Sequence, residues 1–282
     1  MKLRTGIASF AYPDGNGGVD FDAIARDGYS CVDYQPLAHT EGHIYNCGTA
    51  EFEAFFAAEK RRAEALGLSF YQAHGPWPVD DTTAELRAKN LADMKTAVRA
   101  CALLGCENLV VHPVMPYAWA KEPDPTFAVR LNEEHMLSLA EYASGFGVCI
   151  AFENMPTMNH TIASVHSVVE FVKRLAHPNL AVCLDTGHAN ITGENVGDAV
   201  RECGSLLRVL HIHDNNGRSD QHTVPFCGGG SVDWSSFCSA LRAVGYSGVV
   251  SLETGSDSDL PEPLRGTLRK AVFNIAEHLA QL

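Results

Sequence analysis

Eight short apolar or β-branched runs, each followed by a helix-like stretch, constrain this chain more than any other feature. They occupy residues 3–8, 31–34, 69–74, 108–112, 149–153, 181–185, 208–213 and 249–253. Strands that alternate with helices build parallel βα units, and a count of eight at regular spacing predicts closure into a barrel. Helical periodicity fills the gaps at 50–66, 86–104, 129–144, 162–175, 234–244 and 263–279, with shorter helices at 20–27 and 196–203. Thr82-Thr83-Ala84-Glu85 reads as a capping box ahead of the helix at 86–104, and Gly105 ends that helix. A chain of 282 residues can bury one large core, so residues 1–282 are expected to form one α/β domain, a single (β/α)₈ TIM barrel.

Composition narrows the function classes. Hydrophobic residues make up 46% and charged residues 20%, which is globular. No apolar stretch approaches a bilayer span and the start Met-Lys-Leu-Arg-Thr-Gly lacks a signal-like run, so a cytoplasmic location and no membrane partner are expected. The nine cysteines are scattered singly with no Cys-x-x-Cys pair, and read as reduced core residues; Cys227, in a glycine-rich loop, is the one placed for exposure. A net charge of −13 argues against a surface built for nucleic acid, which is not expected as a partner.

Six consecutive runs end in a polar residue: His74, His112, Glu153, Asp185, His211 and Glu253. In a barrel the C-terminal strand ends converge, so these side chains would meet around one axial pocket. Taken singly, each is more often a hydrogen-bonded structural residue. Taken together, buried carboxylates would repel one another and resist desolvation, a cost that a divalent cation offsets. Imidazole mixed with carboxylate suits zinc, manganese, iron or cobalt better than calcium. His188, three residues past Asp185, and the pair Asp220 and His222 are further ligand candidates in loops. A turn would bring Asp185 and His188 to one cavity, and extended chain would project Asp220 and His222 to one side. A solvated loop is the plain alternative for both pairs.

The segments Ala73-His74-Gly75-Pro76, Val111-His112-Pro113, Ala151-Phe152-Glu153-Asn154, Leu184-Asp185-Thr186-Gly187-His188, His211-Ile212-His213-Asp214, Asp220-Gln221-His222 and Leu252-Glu253-Thr254 resemble, in order, the xylose-isomerase-like barrel superfamily. That superfamily holds sugar and sugar-phosphate isomerases and epimerases, and also apurinic endonucleases of the endonuclease IV type. In the first branch the resemblance implies one divalent ion (Mn, Zn, Co or Mg) on Glu153, Asp185, His211 and Glu253. In the second it implies three zinc ions on those four together with His74, His112, His188, Asp220 and His222. The endonuclease pattern usually has Asn where His213 stands, and no cluster of lysines and arginines marks the loops. The sugar branch is therefore the preferred reading, and a multi-zinc apurinic endonuclease or phosphodiesterase is the alternative. A lyase or dehydratase acting through an enolate is a third.

Under the preferred reading, a sugar with a carbonyl beside a hydroxyl would chelate the ion, which acidifies the intervening C–H and stabilises an enediolate. Glu153 and Glu253 would exchange the proton, through two faces for epimerisation or one face for isomerisation. His188 and Arg218 are expected to bind substrate oxygens, Arg218 by its guanidinium to a phosphate if one is present. Trp77 and Trp119 are placed to wall the pocket, and Tyr34 and Gln35 to line its mouth. The expected partner is a small-molecule sugar or sugar phosphate, and a homodimer is the expected assembly.

Overall fold

The computed structural model describes residues 2–254, 260–261 and 263–281. Its eight strands are β1 (Arg4–Ala8), β2 (Cys31–Tyr34), β3 (Ser69–His74), β4 (Asn108–Val111), β5 (Cys149–Glu153), β6 (Leu180–Asp185), β7 (Leu207–His211) and β8 (Val249–Leu252). Parallel pairing runs β7-β6-β5-β4-β3-β2-β1-β8. A parallel bridge between Ile212 and Leu252, with Glu253 N–H donating to the Ile212 carbonyl at 2.9 Å, joins β7 to β8 and closes the barrel. The expected single (β/α)₈ TIM barrel is therefore the observed fold. His112, His213 and Glu253 stand just past their strands rather than inside them.

Nine helices among the described residues surround the barrel: α1 (Phe21–Asp27), α2 (Thr49–Ala65), α3 (Ala84–Leu104), α4 (Pro125–Ser144), α5 (Val165–Leu175), α6 (Thr186–Ile191), α7 (Val196–Cys203), α8 (Trp234–Val244) and α9 (Leu264–Leu279). Most begin where a short polar side chain can accept one of the orphan N–H groups of the first turn. Asp20, Asp124, Ser164, Asn195 and Asp233 do so for α1, α4, α5, α7 and α8. The expected capping box is shifted by one residue. Thr83, not Thr82, is the cap of α3, accepting from Leu86 N–H at 3.2 Å, so Glu85 falls too early to reach back. The helix α6 was not expected as a helix. No helix among the described residues is long and apolar enough to cross a membrane.

Strand alternation sets the depth of the site. Cys31, Tyr71, Val110, Ala151, Cys183, Val209 and Val249 form one buried apolar cluster inside the barrel. On six strands the residue two places further on points to the same interior one layer higher, and it is polar: Asp33, His112, Glu153, Asp185, His211 and Ser251. The apolar layer is thus the floor on which the polar layer stands. Residues of the opposite parity, such as Val32, Val111, Phe152 and Leu184, face outward into the large core shared with the helices.

Candidate functional site

Glu153, Asp185, His211 and Glu253 meet above this floor. All four are buried, and one ligand atom from each lies within 4.8 Å of the others. His211 Nδ1 is 2.8 Å from Glu153 Oε1 and 3.3 Å from Glu253 Oε2. Its other nitrogen, Nε2, faces Asp33 Oδ2 at 3.2 Å, and the amide of Gln72 donates to that same oxygen at 3.1 Å. A carboxylate behind Nε2 favours the Nε2–H form and leaves the Nδ1 lone pair for a ligand.

Two further clusters abut the first. His74, His112 and Glu153 form one, with His112 Nε2 at 3.0 Å from Glu153 Oε2 and at 3.2 Å from His74 Nε2. His188, His213, Asp220 and His222 form the other, with Asp220 Oδ2 at 3.3 Å from Nε2 of both His188 and His222. In three of these histidines Nδ1–H donates at 2.8 Å to a backbone carbonyl: His74 to Gly75, His188 to Asn154, and His222 to Glu253. Each therefore turns Nε2 toward its cluster in a fixed orientation. That is how a ligating imidazole is prepared.

Local sequence explains how α6 builds its part. Asp185 is the cap of α6, accepting His188 N–H at 2.6 Å, so the three-residue spacing is a first helical turn and not a β-turn. Asn154 clamps the same point, accepting Asp185 N–H at 2.8 Å and donating to its carbonyl at 3.1 Å. His213 Nε2 reaches the Asp185 carboxylate at 3.0 Å across Gly187, where a Cβ would come within 1.9 Å of the imidazole; glycine is what admits that ring. Asp220 and His222 do converge, but not through extended chain. His222 has φ +47°, a left-handed conformation uncommon for a side chain of this size, and its ring stacks on His213 with centroids 3.9 Å apart.

The electrostatics separate the two glutamates. Burial would raise the Glu153 carboxyl, but His211 and His112 outweigh it and hold the group well below the usual carboxylate range. Burial pushes Glu253 up to about 8, against the pull of His211 and His222. Burial opposes charge on His188 and His222 as well, yet Asp185 and Asp220 bring His188 up to about 10, and Asp220 and Glu253 bring His222 to about 9. Burial, reinforced by His112, lowers His74 to about 4. Protons thus do the work of balancing the carboxylates, and a cation would serve in their place. Three carboxylates and one imidazole within 4.8 Å fit a divalent metal.

A cavity of about 420 Å³ opens over the cluster, lined among others by Phe10, Gln35, Trp77, Trp119, Met155 and His188. Trp77, Trp119 and Gln35 are therefore at the mouth, as expected, whereas Tyr34 points outward and donates to Glu59 at 3.2 Å. Arg218 is exposed on the loop after β7 and does not line the cavity; its backbone N–H donates to Asn216. The lining holds no Lys or Arg, and neither does the segment 255–259 in sequence. Asp33, Gln72 and Asn154 were not singled out in the sequence. A charge inside the otherwise apolar run 31–34 was the available signal for Asp33.

A parallel barrel carrying carboxylates and imidazoles on its C-terminal rim defines the class: a (β/α)₈ protein with a metal-capable axial pocket. The chain belongs to the xylose isomerase-like TIM barrel family, whose model matches residues 21–273. It is similar to D-psicose 3-epimerase of Agrobacterium fabrum, 26% identical over 82% of this chain and 77% of that protein. It is also similar to the uncharacterized protein MJ1311 of Methanocaldococcus jannaschii, 29% identical over 59% of this chain but only 57% of that protein's length. Among solved structures, a D-psicose 3-epimerase crystallised in the presence of D-fructose superposes with a TM-score of 0.80 at 20% identity, covering 99% of both chains, and shows the shared fold.

Proposed function

We propose that this chain is a divalent-metal-dependent epimerase or isomerase acting on an uncharged sugar. The observation that carries this reading is the pair Glu153 and Glu253, which lie on β5 and just past β8, both buried and both beside His211. Similarity to an epimerase of ketoses supports it. The lack of Lys and Arg in the cavity lining favours a sugar without phosphate.

Glu153, Asp185, His211 and Glu253 would hold the ion. When bound, it would polarise a carbonyl and its neighbouring hydroxyl and so acidify the C–H between them. Glu153 would take that proton as base, and Glu253 would return one to the same carbon from the other side. Exchange across two faces inverts the centre. His188, cationic beside Asp220, donates to a substrate hydroxyl, and Trp77 and Trp119 offer ring faces to the sugar's C–H surface.

The two abutting clusters favour a second reading, a phosphodiesterase in which three zinc ions share the nine ligands. Elemental analysis of protein purified without added metal separates the two. One ion per chain together with turnover of ketoses supports the sugar reading; two or three zinc ions together with cleavage of phosphodiesters replaces it. Under the sugar reading, Glu153→Gln and Glu253→Gln each abolish turnover with unchanged far-UV circular dichroism, and full activity in either variant refutes the proton exchange.

A further inference from the structure

The reactive cavity does not end at the mouth. A second cavity of about 500 Å³ adjoins it, and the two share Phe10, Gln35 and His39 as walls. The second part is bordered by Ile44 and Phe55. Phe10 and Phe55 are exposed at 39% and 37%, and so offer aromatic surface to whatever enters.

The junction is rigid and chemically unfinished. Gln35 opens the 3₁₀ turn Gln35–Ala38 after β2, and its backbone N–H donates to Ser9 Oγ at 2.9 Å, which ties it to the turn Ser9–Ala11 after β1. Its side-chain nitrogen is shielded from solvent and has no hydrogen-bond partner in the structure. A buried donor without an acceptor is costly, and Gln35 lines both cavities, so turning its amide into the cleft would let a ligand oxygen at the junction satisfy it.

We infer that the cleft takes a substituted sugar: a ketose whose reacting carbons sit between Glu153 and Glu253 and whose distal hydroxyl carries a second, O-linked sugar ring in the outer cavity. This rests on the function proposed above. The glycosidic oxygen passes Gln35, the second ring lies against Phe10 and Phe55, and its hydroxyls meet His39 and His43 at the border. A free hexose would leave the outer cavity to water and the Gln35 amide without an acceptor. Among the described residues neither lining includes Lys or Arg, which fits a neutral disaccharide.

The test compares D-fructose with 6-O-α-D-glucopyranosyl-D-fructose, in which the carbons that react are unchanged, on the metal-loaded enzyme by titration calorimetry and by turnover. The disaccharide is expected to bind about tenfold more tightly, the gain that one stacked ring and one completed hydrogen bond supply. Phe55→Ala, which borders only the outer cavity, should bring the disaccharide's affinity down to that of fructose while fructose binding and turnover stay unchanged. Equal or weaker binding of the disaccharide beside normal fructose turnover overturns the outer subsite and leaves the proposed function standing. Equal losses for both sugars in Phe55→Ala also overturn it. Neither sugar bound nor turned over refutes the sugar reading itself, and this inference with it.

Discussion

His211 shows how much of this site depends on a residue that never touches the cavity. Its Nδ1 is available to a ligand while Nε2 keeps the proton, and the Asp33 carboxylate 3.2 Å from Nε2, braced by Gln72, favours that tautomer. Asp33→Asn should therefore lower metal affinity by about 10–100-fold while the fold persists, checked by competition with a chromophoric chelator alongside thermal melting. An unchanged affinity would show that His211 needs no partner at Nε2. Six of the ligand candidates were legible in the sequence because they stand at or near the end of an apolar run, and His188, Asp220 and His222 because they follow such runs in loops. Asp33 was not legible as a partner of His211, because 178 residues of chain separate the two and only barrel closure brings β2 across from β7. Arg218 illustrates the reverse. Its place in a polar loop suggested substrate contact, and the direction that loop takes leaves it in solvent.

Among the elements, α1 and α7 fall where the sequence placed short helices, α4 starts four residues earlier than expected, and α6 is the helix the sequence did not reveal. The helices α3 and α4 carry enough turns of apolar periodicity to be read directly, whereas α6 spans Thr186–Ile191 and exists because Asp185 caps it and Asn154 pins its start. A helix that short has no periodic signature, so its ligand pair read as a turn. The helix α4 also buries His135, whose imidazole burial, reinforced by Lys95, holds down at about 4. Its folded value lies below the unfolded one of about 6.5, so the neutral ring's contribution is complete above pH 6.5 and is lost as pH falls toward 4. The loss amounts to about 3 kcal/mol across that window. His135→Leu should flatten the decline of Tm between pH 6.5 and 4 relative to the parent chain, and parallel curves would refute the assignment.

For the whole molecule, the barrel concentrates electrostatic cost at one end. Apolar side chains fill the barrel floor, and the layer above it gathers carboxylates that only protons or a cation can balance. Metal binding should therefore stabilise the fold. With metal at 100 times its Kd the gain is about 2.7 kcal/mol, which raises Tm by about 5–10 °C over chelator-treated protein. A Tm indifferent to chelation would place the ion elsewhere or nowhere. The sequence by itself determined the eight-unit barrel and which polar residues stand on its rim, because strand alternation and parallel βα order are local rules that put every second residue inside and every strand's end on one face. Only the tertiary structure decided which nitrogen His74, His188 and His222 present, which charges surround each glutamate and which loops line the cavity. Those properties depend on backbone carbonyls, charges and loops from distant units, and no local pattern along the chain records them.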